Sequence, residues 1–266
     1  MIIPGMVSAT FRGLPAEEIL DLCVKGELKG VEWSENAHVM PGDEKGADLL
    51  RQKTEKAGLE VAAYGSYYRL GQQEDPEAVF LPSVKAAAAL GAPVIRIWGG
   101  TEPSALVNEE KRLALAKEAG IVCEIGSHYG IKVALEWHKN TLTDTNESAM
   151  DFLKETDSDN LYCLWQPTVA LSQEERKHGL DLLGGRLLNL HIYYWKEGIR
   201  RPLKEGVQEW LGYLEHVDLN QPRFGLLEFV MNNTKEQFLE DAAVLHQILE
   251  TASKIRRKNT LENERG

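Results

Sequence analysis

Short apolar runs rich in β-branched and aromatic residues recur along the whole chain, each followed by a longer amphipathic stretch. This alternation is what most narrows the folds open to it. Eight runs read as strands: Met6 to Ala9, Gly30 to Trp33, Glu60 to Tyr64, Val94 to Trp98, Lys132 to Glu136, Leu161 to Gln166, Leu187 to Tyr193 and Phe224 to Phe229. Helix-like segments begin near Pro15, Asp43, Pro76, Asn108, Asn146, Ser172, Lys204 and Thr234, several of them opened by a cap-type residue and early acids. Strand and helix in steady succession imply parallel strands joined by crossover helices. Eight such units predict an α/β fold, a single closed (β/α)8 barrel. An open doubly wound sheet is the rival, but it usually carries a Gly-rich turn after its first strand, and VSATFRGL is no such turn.

The bulk numbers agree with one large core. The chain has 266 residues, 43% of them hydrophobic, and a barrel of about 250 residues is a usual single domain. Residues 1–253 are therefore expected to form the barrel. Residues 254–266, KIRRKNTLENERG, are nearly all polar and read as an extension that frays beyond the last helix. With 41 acidic against 30 basic residues the net charge is −11, which repels polyanions and argues against nucleic acid or an anionic membrane surface. Small polar substrates remain, and nothing speaks against a homo-oligomer. Cys23, Cys123 and Cys163 lie far apart without a CxxC spacing, as reduced packing residues would. MIIPGMVSATF has no basic leader, and no window approaches the roughly 18 apolar residues of a membrane span. A cytoplasmic location is the expectation.

Four late runs each end on a polar or ionisable residue: Glu136 in VALEWH, Gln166 in YCLWQP, His191 in LLNLHIYYW and Glu228 in FGLLEFV. Their spacings of 30, 25 and 37 residues suit one strand-helix unit each, so these groups should cap successive strands. Side chains alternate along a strand, and the parity groups Glu136 with Ala134 and His138, Gln166 with Tyr162 and Leu164, His191 with Asn189 and Tyr193, and Glu228 with Leu226. One consistent choice of face aims all four into the barrel mouth, where barrels of this kind keep their chemistry. Two carboxylates, an imidazole and an amide could hold a divalent ion such as Mn²⁺, Zn²⁺, Co²⁺ or Mg²⁺ and move protons.

With GVEW after the first helix, IRIWGG at the fourth strand, LEWH at the fifth, LHIYYW at the seventh and LLEFV at the eighth, the chain resembles the xylose isomerase-like TIM barrels. That group contains sugar and sugar-phosphate isomerases and epimerases and the endonuclease IV-like proteins. The resemblance implies a metal held by Glu, Asp, His and Glu at the ends of strands five to eight, which map onto Glu136, Gln166, His191 and Glu228. Gln166 departs from the pattern: an amide oxygen can coordinate but carries no charge, so the ligand charge falls from −3 to −2. The resemblance further implies that Glu136 and Glu228 stand on opposite faces of a substrate carbon, one removing the proton α to a carbonyl and the other returning one through an enediolate. A sugar or sugar phosphate is the implied substrate.

Other positions are candidates for substrate contact. His138 shares the face of Glu136, and His38, in ENAHVMPGD, sits on a loop over the same mouth. Trp98, Trp165, Tyr193 and Trp195 could offer stacking faces to a sugar. Lys196, Arg200 and Arg201 cluster after the seventh strand, where barrels often bind phosphate, and Arg201 is the substrate candidate among them. Glu32 and Arg96 should form a buried pair beneath the site, because an unpaired charge inside a barrel is costly. Two other functions compete: a non-catalytic or metal-poor sugar-binding barrel, in which Gln166 records a lost ion site, and an endonuclease IV-like repair enzyme. The second would need more strand-end histidines and a basic surface.

Overall fold

The structure, a computed structural model, describes residues 1–263. Eight parallel strands close on themselves: β1 (Ile2–Val7), β2 (Gly30–Ser34), β3 (Glu60–Arg69), β4 (Val94–Trp98), β5 (Lys132–Glu136), β6 (Leu161–Trp165), β7 (Leu187–Ile192) and β10 (Arg223–Leu227). Between β7 and the last barrel strand, a two-stranded antiparallel ribbon of β8 (Trp195–Lys196) and β9 (Ile199–Arg200) stands apart from the barrel sheet. Helices α1 (Ala16–Lys25), α2 (Glu44–Lys56), α3 (Pro76–Leu90), α4 (Glu109–His128), α5 (Asn146–Thr156), α6 (Gln173–Leu183), α7 (Val207–Glu215) and α8 (Lys235–Asn263) follow the barrel strands in turn. The predicted closed barrel is the observed one.

Local chemistry explains the helix starts. Asp43, Asp75, Asn108 and Thr145 each accept a backbone N–H from the first turn of the helix they precede, and Ser172 with Glu175 forms a capping box at α6. The last helix differs from expectation. It runs past Ser253 to Asn263, so most of the polar extension is helical rather than frayed; residues 264–266 of it lie outside the described residues. Lys, Arg and Glu are good helix formers, and polarity alone does not end a helix.

The large core lies between strands and helices, and the barrel interior is filled separately. Val7, Ala62, Phe224 and Leu226 form one buried strand-borne cluster with Ala9, and Ala63, Val94, Ala134 and Leu164 form another. Small residues dominate because side chains from opposite strands must share a narrow cylinder. Gly30 shows how narrow: a Cβ there would sit 2.3 Å from the Phe224 ring. Trp165 belongs to the outer layer instead, where it is fully buried against Trp210 and Tyr213 at 6.1 and 5.4 Å between ring centroids, so it offers no stacking face to a ligand.

Candidate active site at the barrel mouth

At the carboxyl ends of the strands the barrel holds a buried ionic network. Arg96 on β4 bonds through Nη1 to Glu136 Oε2 at the end of β5, and its Nε lies 3.5 Å from Glu32 Oε1 on β2. The expected pair beneath the site is thus a triad. Gly65 on β3 makes room for it, since a Cβ there would come within 2.8 Å of Glu32 Oε1 and 2.9 Å of Arg96 Nη2. Burial opposes the charge on Arg96, but Glu136 and Glu32 outweigh it and hold the guanidinium more firmly protonated than usual. Burial would likewise raise Glu136, yet Arg96 first, then His191 and His138, keep its carboxyl below the ordinary range.

On the other side His191, fully buried on β7, lies between two carboxylates. Its Nε2 is 3.1 Å from Glu32 Oε2 and its Nδ1 3.4 Å from Glu228 Oε2. Burial alone would lower its pKa; Glu228 and Glu32 outweigh burial and push it up to about 10. The two carboxylates thus favour the imidazolium form of His191. Three buried carboxyl groups, Glu32, Glu136 and Glu228, surround Arg96 and His191.

The four strand-end groups do meet, as their parity predicts, but as a salt-bridged network. Gln166 donates its amide N–H groups to Glu136 Oε1 and to the Trp137 carbonyl, both at 2.8 Å. Both partners are acceptors, so they fix the nitrogen, and not the oxygen, toward Glu136. Glu136 thus has one oxygen on Arg96 and the other on Gln166, while both ring nitrogens of His191 face carboxylates of Glu32 and Glu228. Among the described residues no three His, Cys, Asp or Glu side chains are disposed to hold an ion. As they lie, Glu136, Gln166, His191 and Glu228 do not fit a divalent cation.

A cavity of about 150 Å³ opens over this network, with Glu136, Gln166 and Glu228 in its wall beside His138, Tyr193 and Arg200. His138 turns Nδ1 to the Lys139 carbonyl at 2.7 Å, and Tyr193 donates its hydroxyl to the Pro167 carbonyl at 3.2 Å. Burial, then Glu228 and Glu136, push the Tyr193 phenol well above its usual value, so it stays protonated. Other candidates lie elsewhere. Trp98 packs against Arg69 and Arg96, whose Cζ atoms stand 4.0 and 4.3 Å from its ring centre. His38 is pinned by Nε2 to the Leu14 carbonyl at 3.0 Å and packs against Trp33, outside the cavity. Arg201 is half spent on an exposed pair with Glu205 at 3.0 Å, and its neighbour Arg200 takes the place on the cavity wall.

The ribbon explains that exchange. Glu197 and Gly198 form its two-residue turn with φ of 52° and 77°, both in the left-handed region that tight hairpins use. The chain doubles back so that Arg200 pairs with Trp195, and the alternation along a strand turns Arg201 the other way. Lys139, Phe229 and Thr168, also on the cavity wall, carry no sequence pattern that separates them from loop residues.

A closed parallel barrel with a buried ionic network at its carboxyl ends defines the class. The chain belongs to the xylose isomerase-like TIM barrel family, whose model matches residues 20–248. Among curated proteins it is 26% identical over 153 residues to a 3-dehydroshikimate dehydratase from Bacillus anthracis, a match covering 54% of this chain and 53% of that protein. The match thus spans about half the length of the curated relative. Among solved structures, the probable 3-DHS dehydratase of petrobactin synthesis from Bacillus anthracis superimposes with a TM-score of 0.78 at 19% identity, covering 92% of this chain and 99% of that one. An L-ribulose 3-epimerase follows at 0.75 and 15% identity over 98% of both chains. The IolI protein with a bound zinc atom gives 0.74 at 15% identity over 94% and 99%. At such identities these structures share the fold.

Proposed function

We propose that this chain is an enzyme that removes the proton α to a carbonyl of a small polyhydroxylated substrate, a sugar or sugar phosphate, and passes through an enediolate to an isomerised product. One observation carries the reading. Glu228 ends a barrel strand on the cavity wall with His191 3.4 Å away, while the other cavity carboxylate, Glu136, is held by both oxygens. Glu228 is the base. A single carboxylate can take a proton from one carbon and return it to the next on the same face, as aldose-ketose isomerisation requires. Epimerisation needs a second group on the opposite face, and Glu136 would fill that part only by protonating against Arg96. Lys139 in the cavity wall is a cation able to meet charge on the carbonyl oxygen. No divalent ion enters this reading, because the donor set does not fit one.

Dehydration is the second reading. It also begins with loss of an α-proton to one base, which is what the commitment of Glu136 favours, and the curated relative is a dehydratase by name. Proton exchange tests the common step. Incubation of a ketose and ketose-phosphate panel in deuterium oxide should label recovered sugar at the carbon α to the carbonyl, and Glu228→Gln should cut the rate by about 10²- to 10⁴-fold. Loss of water into a conjugated, ultraviolet-absorbing product would select dehydration. Sugar binding without exchange in any member would leave a non-catalytic barrel.

A further inference from the structure

Next to the catalytic cavity, and sharing Arg200 and Phe229 with it, lies a second cavity of about 460 Å³ between the β1–α1 loop and the segment after β10. Its wall holds two guanidinium groups, Arg12 and Arg200, and no carboxylate. That is unexpected in a chain with 41 acids and a net charge of −11. Neither arginine has an ion-pair partner within 4.0 Å among the described residues; Arg12 donates from Nε to the Tyr67 hydroxyl at 3.0 Å, and Arg200 from Nη1 to Asn233 Oδ1 at 2.7 Å. Both lie against one ring. The Cζ atoms of Arg12 and Arg200 stand 5.8 and 4.6 Å from the centre of Phe229, which an aromatic face rewards.

Phe229 itself is held in a costly conformation. Its φ of 53° is in the left-handed region, unusual for a bulky side chain and worth about 1–3 kcal/mol of strain. The Thr10 hydroxyl accepts its backbone N–H at 3.1 Å and fixes the bend, directly after Glu228 in the chain. The bend thus sets the two arginines and the proposed base in one place. Glu228 is the acidic group that reaches Arg200 electrostatically, whereas Arg12 repels it.

We propose that this cavity binds an anionic group of the substrate, a carboxylate or a phosphate monoester, between Arg12 and Arg200, with the reacting end of the same molecule at Glu228. The substrate is therefore an acidic sugar derivative, which rests on the function proposed above. Guanidinium groups suit either anion because they offer paired N–H donors in a fixed plane. The cavity leaves space for the anion beside two cations, with no carboxylate in its wall.

Titration calorimetry at low salt, with inorganic phosphate and with malonate as probes, tests the site apart from catalysis. One or both should bind, the tighter one telling phosphate from carboxylate. Arg12→Gln and Arg200→Gln should each weaken binding about tenfold while Arg12→Lys keeps most of it, all with melting temperatures near that of the parent. Glu228→Gln should bind at least as well, since a nearby negative charge is gone. Equal affinity of the parent and the Arg12→Gln/Arg200→Gln double variant for both probes overturns the proposal, whatever the exchange assay gives. Anion binding with no proton exchange would instead leave this site standing and remove the proposed reaction.

Discussion

Glu136 and Glu228 end strands of the same barrel and face the same cavity, yet one side of the mouth is sealed and the other open. On the sealed side Arg96 joins Glu136 and Glu32, Gln166 takes the remaining Glu136 oxygen, and Gly65 clears the space. On the open side Glu228 has a single ion-pair contact, with His191, and Arg200 on the same cavity wall is stacked on Phe229 rather than paired with an acid. Equal residue types thus do unequal work. A carboxylate with both oxygens bonded holds the barrel together, and one with an oxygen to spare can accept a proton.

The sharpest way to break this contrast is to remove a cation from each side. Arg96→Met should cost about 3–5 kcal/mol of unfolding free energy, because Glu136 is then left buried without its cation and Glu32 keeps only His191. Arg200→Gln, on the partly exposed rim, should cost under about 1 kcal/mol. Urea unfolding of the two variants measures both. Similar losses would mean that the sealed side is no more structural than the open one.

Proton titration sharpens it further, because His191 links the two sides. Its folded pKa of about 10 lies above the ordinary 6.5, so the stability it contributes is complete below about pH 6.5 and lost as pH rises toward 10. In that window unfolding free energy should fall by up to about 1.4 kcal/mol per pH unit. His191→Gln should be less stable at pH 7 and show a flatter profile. Parallel profiles for parent and variant between pH 7 and 9 would rule out a protonated His191.

Much of this site was legible because strands impose a period of two. The run VALEWH puts Glu136 and His138 on one face, and both reach the cavity; the costliness of a lone barrel charge likewise led from Glu32 and Arg96 to their pair. What escaped was set by geometry that no single run carries. Arg200 and Arg201 are equivalent in the sequence until the Glu197–Gly198 turn decides which faces inward. Gln166 is spaced as a ligand, but which of its amide atoms meets Glu136 depends on the Trp137 carbonyl of the adjacent strand end. Phe229 reads as the last apolar residue of a strand, and its left-handed turn comes from a hydroxyl on the far side of the chain.

Gln166 gives the finest test, since a single atom separates the sealed side from an ion site. Gln166→Asp removes the amide donor from Glu136 and adds one negative charge to the four strand-end groups. If the amide is what commits Glu136 inward, the parent should retain little Mn²⁺ or Zn²⁺ after equilibrium dialysis, and its proton exchange should survive a chelator. The variant should then bind about 10- to 100-fold more tightly, the range over which partners of ligating groups tune affinity. Binding should also release protons, because His191 must lose its own before its nitrogen can coordinate. Stoichiometric, chelator-sensitive metal in the parent would show that Glu136 leaves Arg96 readily, and the contrast between the two carboxylates would collapse into one shared site.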